Sequence, residues 1–363
     1  MRRSVAVAVT TAVVTVGSAC VAVPVAALLL VAPARTPVME DSSESAAPAT
    51  DGRAMRLLDR AGVAGARTAY RGTAFVSAWT ATGTTSVVVD VQHQVGAGTR
   101  VRSVGTVRNP AMDTHLPDRG ARPSIDSDVL GLLAHHYDVV AAGSAEVAGR
   151  PTDLVEARRT GTSSLAARFW LDRATGLVLR REVYDGDGRI TRASAFVDIT
   201  IGRPHEDAAA GASASPWPDS VDPTTLAQMR TAGWRCPREL PGSLQMVDAR
   251  RGSQRYSGIL HLSYSDGLST VSLFLQRGRL DATGLTGFRR TTVDGDPVYV
   301  LDSVPARVVW SADGTVYTVV ADAPPRTVDR VVASLPHTGD EPGGWQRLSR
   351  GLGRVASWFN PFG

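Results

Sequence analysis

Short strand-like segments separated by glycine-containing turns constrain the fold more than any other feature of this sequence. Residues 165–171, 177–183 and 189–201 alternate or run in apolar and β-branched residues, and the turns 174–176 and 185–188 stand between them. Glycine supplies the positive φ that tight hairpin turns require. Because consecutive hairpins join antiparallel strands, the pattern predicts an antiparallel meander and not βαβ units.

A second β unit follows residue 222. Its predicted strands are 244–249, 258–265, 268–276, 288–293, 297–302, 306–311 and 315–321. Three Asp-Gly pairs, at 266–267, 294–295 and 313–314, mark its hairpins. Earlier in the chain, strands are predicted at 70–78, 86–92, 100–107 and 152–158, with a long loop at 108–125.

Four helices accompany these strands. The first spans 52–65, with Met55, Leu57, Leu58 and Val63 as candidate apolar positions, and a short one runs from about 127 to 136. Asp222 before Pro223 is a capping acid followed by proline at the first helical position. The last helix is predicted to begin at Pro325. Its apolar face is formed by Val328, Val331, Val332 and Leu335.

The N-terminus predicts export. Arg2 and Arg3 precede an apolar run over residues 5–31, and Ala32-Pro33-Ala34 follows. The run is long enough to span a bilayer, so an uncleaved anchor, cleavage after Ala34 and lipidation at Cys20 all remain open. Each alternative places residues 35–363 outside the membrane.

Composition divides the chain into six segments. They are 1–34, the export signal or anchor; 35–51, a linker; 52–203, the first domain; 204–221, a second linker; 222–337, a smaller C-terminal β domain with a helix; and 338–363, a spacer with a tail helix. The predicted fold class is α+β and mostly antiparallel β.

The tail has the pattern of a basic amphipathic helix. It can lie on a membrane surface, dock on a partner or pack on its own domain. Its candidate membrane or partner residues are Trp345, Arg347, Leu348, Arg350, Leu352, Arg354, Val355 and Phe359.

Residue types exclude several kinds of chemistry. All 39 basic residues are Arg, so no lysine can form a Schiff base or hold a phosphate in a P-loop. No dense basic block with interleaved aromatics predicts nucleic-acid binding. His135 and His136 are adjacent and lack the i, i+4 spacing of a metal pair on a helix, so they are interpreted as helix-end residues. The sequence therefore predicts no catalytic residues, no metal and no cofactor, and a protein that is not an enzyme.

Two further residue types have structural interpretations. Asp172 is predicted to form a turn through its carboxylate, and Asp185 and Asp187 to belong to a hairpin turn rather than a metal loop. Cys236 is predicted to be a small buried apolar residue.

Apolar strand residues are the predicted place for binding. On the inner face of a curved sheet they would bury acyl chains, although for any single residue a place in the core beneath the helices is the favoured interpretation. The candidates are Phe75, Val87, Val89, Phe169, Leu171, Leu179 and Phe196.

Several motifs resemble one known family in the same order. FWLDRATGLVLRREVYDGDGRI (169–190), FVDITIG (196–202) and HLSYSDGLSTVSLFLQ (261–276) are similar to the RseB/MucB family of sigma-E regulators. YRGTAFV (70–76) and PPRTVDRVVASL (324–335) are similar to its first strand and closing helix. The likeness covers about residues 55–335.

The resemblance implies a fold and a partner. It implies a LolA-like half-open β-barrel with helices as the first domain, followed by the smaller β domain. It also implies that the protein binds the extracytoplasmic segment of a membrane-spanning anti-sigma factor and modulates its proteolysis in envelope stress, with lipid or lipoprotein as a ligand that is sensed. The alternative is a lipid or lipoprotein carrier of the cell envelope. The basic tail and the long N-terminal apolar run depart from the family pattern.

Overall fold

The computed structural model describes residues 50–80, 83–104, 114–116, 127–202, 217–252, 258–303 and 305–337. The predicted export segment and the predicted tail lie outside these residues. In the described part of the chain, strands dominate and form two antiparallel sheets. The predicted fold class is confirmed.

The first sheet has nine strands in the described residues, in the order β4-β3-β2-β1-β9-β8-β7-β6-β5. These are β1 Tyr70–Thr80, β2 Gly83–Gln94, β3 Gly98–Val104, β4 Thr114–Leu116, β5 Tyr137–Val147, β6 Arg150–Arg159, β7 Leu165–Asp172, β8 Val178–Tyr184 and β9 Ile190–Ile201. The sheet does not close: no pairing between its outer strands β4 and β5 is seen among the described residues. Strand β4 lies inside the segment 108–125, which the sequence predicted to be all loop.

Two helices pack on the first sheet. They are α1, Gly52–Arg67, and α2, Ser127–His136. Asp51 begins α1, since its side chain accepts a hydrogen bond from the Arg53 amide at 2.8 Å. The predicted apolar positions of α1 are only partly right, because Leu58 is buried but Val63 is 49% exposed. The buried face of α1 consists mostly of small residues, and these are Ala54, Ala61, Ala64 and Gly65.

The second sheet also has nine strands in the described residues, in the order β10-β12-β13-β14-β18-β17-β16-β15, with β11 paired to β12. These are β10 Asp219–Ser220, β11 Glu239–Leu240, β12 Leu244–Arg251, β13 Ile259–Ser265, β14 Thr270–Arg277, β15 Arg289–Val293, β16 Asp296–Leu301, β17 Ala306–Ala312 and β18 Thr315–Asp322. The three Asp-Gly pairs lie in the hairpins predicted for them.

Two helices belong to the second sheet's unit. They are α3, Pro223–Thr231, and α4, Pro325–Ser334. Asp222 begins α3 as predicted, because its carboxylate accepts a hydrogen bond from the Thr225 amide at 2.9 Å. All four predicted apolar residues of the closing helix are buried in the core of this unit. Trp217 packs on the opposite face of the sheet, so the unit includes residues that composition assigned to the linker.

Candidate functional site: the first sheet and the domain junction

Six of the seven predicted ligand-face residues share one face of the first sheet. Ala74 pairs with both Val89 and Phe196, and the pairing continues across the sheet to Phe169 and Val155. Because side chains alternate between faces, Val87, Leu171 and Leu179 lie on this same face. Phe75 does not, because it pairs with Val88 and Ala195 on the opposite face.

The helices cover this face. Leu171 and Phe169 pack in one apolar cluster with Leu58 of α1 and Leu133 of α2. The other four of the six pack in a second cluster, which includes Ala64 of α1. The shared face therefore forms the core beneath the helices. A binding role for it stays a prediction.

The opposite face of the first sheet carries a polar cleft of 370 Å³. Arg71, Arg100 and Arg102 line it together with Asp90 and Asp198. These residues are cross-strand neighbours, so the strand register alone brings the charges together. The cleft is mixed in charge, with three arginines facing two aspartates.

A set of buried hydrogen bonds and apolar contacts lies where the two domains meet. The hairpin that joins β13 to β14, called here the junction hairpin (residues 265–270), reaches into the first domain. The Tyr137 hydroxyl donates a hydrogen bond to Asp266 Oδ2 at 2.8 Å, and Leu268 packs in the cluster of Leu133. Burial first, and the Asp266 carboxylate second, raise the pKa of the Tyr137 hydroxyl well above its usual range.

Asp266 also shapes its own hairpin. Its Oδ1 accepts hydrogen bonds from the amides of Leu268 at 2.9 Å and Ser269 at 2.6 Å. Gly267 has a φ of +96°, and a Cβ at this position would lie 2.4 Å from the backbone nitrogen of Leu133. Only glycine fits here, because the turn needs positive φ and the first domain approaches the backbone directly.

A buried charge cluster forms the second part of the junction. Asp322, at the end of β18, accepts from Arg181 Nη1 at 3.2 Å and lies 2.7 Å from Arg192 Nε. Arg181 also donates to the Leu268 carbonyl at 2.6 Å. Burial tends to raise the pKa of Asp322, but Arg192 and Arg181 outweigh it and hold that pKa below its ordinary value. The aspartate therefore stays charged between the domains.

The sequence patterns do not predict the junction, although the junction hairpin lies in one of the motifs that resemble the family. Arg181 is buried and Arg192 is partly buried, on strands where the pattern of apolar residues gave no reason to single them out. The only sequence feature that indicates them is an arginine at an inward-facing strand position. Burying its charge costs free energy unless a partner of opposite charge is present. That partner, Asp322, is 130 or more positions away in the sequence, so no local pattern could supply it.

The turn predictions for the aspartates are confirmed. Asp172 Oδ2 accepts from the Thr175 amide at 2.9 Å, and Arg150 pairs with the same carboxylate at 2.8 and 3.0 Å. Asp185 Oδ1 accepts from the amides of Asp187 and Arg189, both at 2.9 Å.

The predictions for histidine and cysteine are also confirmed. His135 and His136 are the last residues of α2. Cys236 is buried, and it is a free thiol. Within the described ranges, no three His, Cys, Asp or Glu side chains are placed to hold a metal ion.

Membrane attachment is not visible in the described ranges. Among the helices between residues 50 and 337 that the structure describes, none is both long enough and apolar enough to cross a bilayer. The predicted signal or anchor and all eight predicted tail residues lie outside the described residues.

The fold and the junction define a class: a two-domain, mostly antiparallel β protein in which an open, helix-covered sheet is joined through buried polar contacts to a smaller β unit. Residues 82–218 match the MucB/RseB N-terminal domain. This is the family that the motifs predicted, so the match agrees with the resemblance.

Similar proteins include the sigma factor AlgU regulatory protein MucB of Pseudomonas aeruginosa, which is 27% identical over 216 residues. The alignment covers 56% of this chain and 61% of that protein, so the chain spans less than two thirds of the relative's length. Among solved structures, the complex of Pseudomonas aeruginosa MucA and MucB is 21% identical, with a TM-score of 0.46, and covers 77% of this chain and 97% of that one. A crystal structure of MucB is 20% identical, with a TM-score of 0.47, and covers 77% and 96%.

Proposed function

We propose that this protein is an extracytoplasmic regulator that binds the outer segment of a membrane-spanning anti-sigma factor and modulates its proteolysis. The observation that carries the proposal is the match of residues 82–218 to the MucB/RseB N-terminal domain. A relative is called a sigma factor regulatory protein, which agrees with it. The N-terminal apolar run supports a location outside the membrane.

The polar groups at the junction have a structural role in the described part of the chain. The buried polar groups at the junction are paired with one another across the domains, as Tyr137 is with Asp266 and Arg192 with Asp322. Such pairs stabilise the contact between the domains. The match to a domain of regulatory proteins is what supports a protein that acts by binding and not by catalysis.

The test is a pull-down of residues 35–363 with the outer segment of a membrane-spanning anti-sigma factor from the same organism. We expect capture at micromolar concentration, and protection of the captured segment from a site-specific protease. A segment of the same composition in scrambled order is the control. Equal recovery of both segments, or recovery of neither, contradicts the proposal.

Lipid or lipoprotein binding is a second candidate function. It is favoured by the six apolar residues that share the helix-covered face of an open sheet. An acyl chain would enter only if α1 or α2 moved, since both helices pack on that face. Delipidated protein is expected to take up a fluorescent fatty acid, and no uptake would count against this function. Mass spectrometry of the native protein would show a bound lipid and the fate of residues 1–34 together.

A further inference from the structure

A cleft of 860 Å³ lies in the second domain, away from the junction. The end of α3, the end of β14 and the β17–β18 turn surround it. We call it the arginine cleft, and the lining residues that matter here are Arg230, Trp234, Arg235, Arg277, Asp313 and Tyr317.

The charges of the arginine cleft are unbalanced. Three guanidinium groups line it against the single carboxylate of Asp313. Arg230 Nε donates to the Cys236 carbonyl at 2.6 Å, and Arg277 donates to the Ala232 carbonyl at 3.3 Å. Both acceptors are neutral, and no carboxylate among the described residues forms a salt bridge with these three arginines. Their positive charge is therefore available to a ligand.

Groups on the floor of the cleft experience this positive charge. Burial raises the pKa of the Cys236 thiol to about 11, and Arg230 and Arg277 oppose the rise. Burial and then Asp313 raise the pKa of Tyr317 to about 12, and arginines again oppose it. A positive potential inside a concave site favours a negative ligand.

The residues that line the cleft favour a peptide over a membrane surface. The Arg277 guanidinium lies 4.8 Å from the centre of the Trp234 ring, which gives the cleft an aromatic wall beside a charge. Insertion into a bilayer requires protruding apolar side chains. In the described part of the chain, the large apolar residues that protrude are Val63, Val95, Val104 and Val197, all in the first domain.

We propose that the arginine cleft binds an acidic peptide segment of a partner protein, whose carboxylates pair with Arg235 and Arg277 while its chain lies along Trp234. Guanidinium groups accept carboxylates in a two-point geometry that suits this role. The proposal goes beyond the proposed function, because it specifies a ligand chemistry and a surface whatever the partner is.

The test is the affinity of the full-length protein for a fluorescein-labelled decapeptide of alternating glutamate and leucine. Fluorescence anisotropy at low salt is expected to give saturable binding that weakens at least roughly tenfold between about 50 and 300 mM NaCl. The variant R235Q/R277Q is expected to weaken binding by a similar factor. Both arginines are exposed, so an unchanged circular dichroism spectrum is expected for this variant, and the lost contacts of Arg277 are expected to lower its Tm by only a few degrees.

The matched control is R279Q/R290Q, which removes the same charge from two exposed arginines of the same domain that do not line the cleft. A loss under twofold is expected for the control. Equal losses in the two variants would overturn the proposal, because they would indicate a response to net charge alone. So would binding to phosphatidylglycerol vesicles but not to the peptide.

Hydrogen exchange supplies a second readout. The peptide is expected to slow exchange in residues 230–237 and 313–317, and protection elsewhere would overturn the assignment. This measurement is independent of the anti-sigma factor. A failed pull-down with wild-type protein would therefore contradict the proposed function. Whether the arginine cleft binds an acidic peptide would still be settled by the peptide measurement.

Discussion

Two features of the structure disfavour any replacement of Gly267, namely its backbone conformation and the close approach of a neighbouring helix. Its φ of +96° disfavours any side chain, and the backbone of Leu133 occupies the space where a Cβ would lie. Gly295 provides a comparison within the same domain, since its φ is +86° and nothing lies within 4 Å of its would-be Cβ.

Gly267→Ala is expected to lower the free energy of unfolding more than Gly295→Ala, by about 2 kcal/mol. Both variants share the strain of positive φ, roughly 1 kcal/mol, and only the first adds an overpacked contact. Urea unfolding of the two variants measures the difference. Equal losses of the free energy of unfolding in the two variants would show that the junction hairpin shifts to accommodate the added methyl group without destabilising the protein.

His261 is a buried residue whose environment disfavours its charged form. It stacks on Phe274 at 4.5 Å between ring centroids and lies 3.1 Å from the Ser272 hydroxyl. Burial, aided by Arg250, lowers the pKa of His261 to about 3.

Stability is therefore expected to fall on acidification. The pKa of a histidine in the unfolded chain is about 6.5. Between this value and the lower pKa in the folded protein, the unfolded chain binds a proton at His261 and the folded protein does not. The loss is roughly 1.4 kcal/mol per pH unit, or about 2 kcal/mol between pH 6.5 and 5. Urea unfolding of His261→Phe is expected to show a flatter pH dependence over this range than that of the wild type. Parallel curves for the wild type and His261→Phe would contradict this.

At the scale of elements, α1 packs closely on the sheet because its buried face is built from small residues. Ala54 and Ala61 have exposed fractions of 0% and 1%. Such a face leaves no space for a larger side chain between helix and strands. Any ligand of this face has to displace the helix.

Ala61→Leu is expected to destabilise the protein by about 1–3 kcal/mol, because the added methylenes overpack this contact. Ala66→Leu makes the same change in the last turn of the same helix, where the alanine is only half-buried, and its effect is expected within about 0.5 kcal/mol. Urea unfolding again provides the measurement. If the two variants are equally stable, the helix has room to move off the sheet.

Element positions were largely predictable from the sequence, for physical reasons. The Asp-Gly turns and the capping Asp222 act over a few residues, so local chemistry identifies them. Strand β4 was missed because three residues are too short to show a period. The side of the sheet on which Phe75 lies was also missed, since which face a strand buries depends on its partners.

At the scale of the whole molecule, the charge cluster of Arg181, Arg192 and Asp322 couples the two domains. The Arg181 and Asp322 side chains have exposed fractions of 7% and 6%. Removing one member of a buried pair leaves the others uncompensated, which typically costs about 3–5 kcal/mol. Sequence alone could not reveal this coupling, because the partners lie in different domains.

Asp322→Asn is expected to split the calorimetric unfolding of the protein into two transitions, one for each domain. The control is Asp187→Asn, which removes the exposed interdomain contact with Arg326 at 3.4 Å and an exposed pair with Arg189 at 3.6 Å, and it should keep a single transition. A single unshifted transition for Asp322→Asn would show that the cluster does not couple the domains.

The same variant also changes the acid limb of the stability curve. The pKa of Asp322 is depressed in the folded state, so its share of stability is present above about pH 4 and is lost as pH falls through the folded pKa. Asp322→Asn is expected to lack this share at every pH and to respond less to acid below about pH 4. Equal responses of variant and wild type would show that the charge of Asp322 contributes nothing.

The insertion of Leu268 into the apolar cluster of α2 has a consequence for biosynthesis. A chain is made from its N-terminus, and domains generally fold in that order. One side chain in the core of the first domain, however, is that of Leu268, which is translated long after the last strand of that domain. A nascent or proteolytically clipped chain that stops before this residue would expose an unfilled apolar site to chaperones and to other copies of the chain. The second domain therefore completes the core of the first.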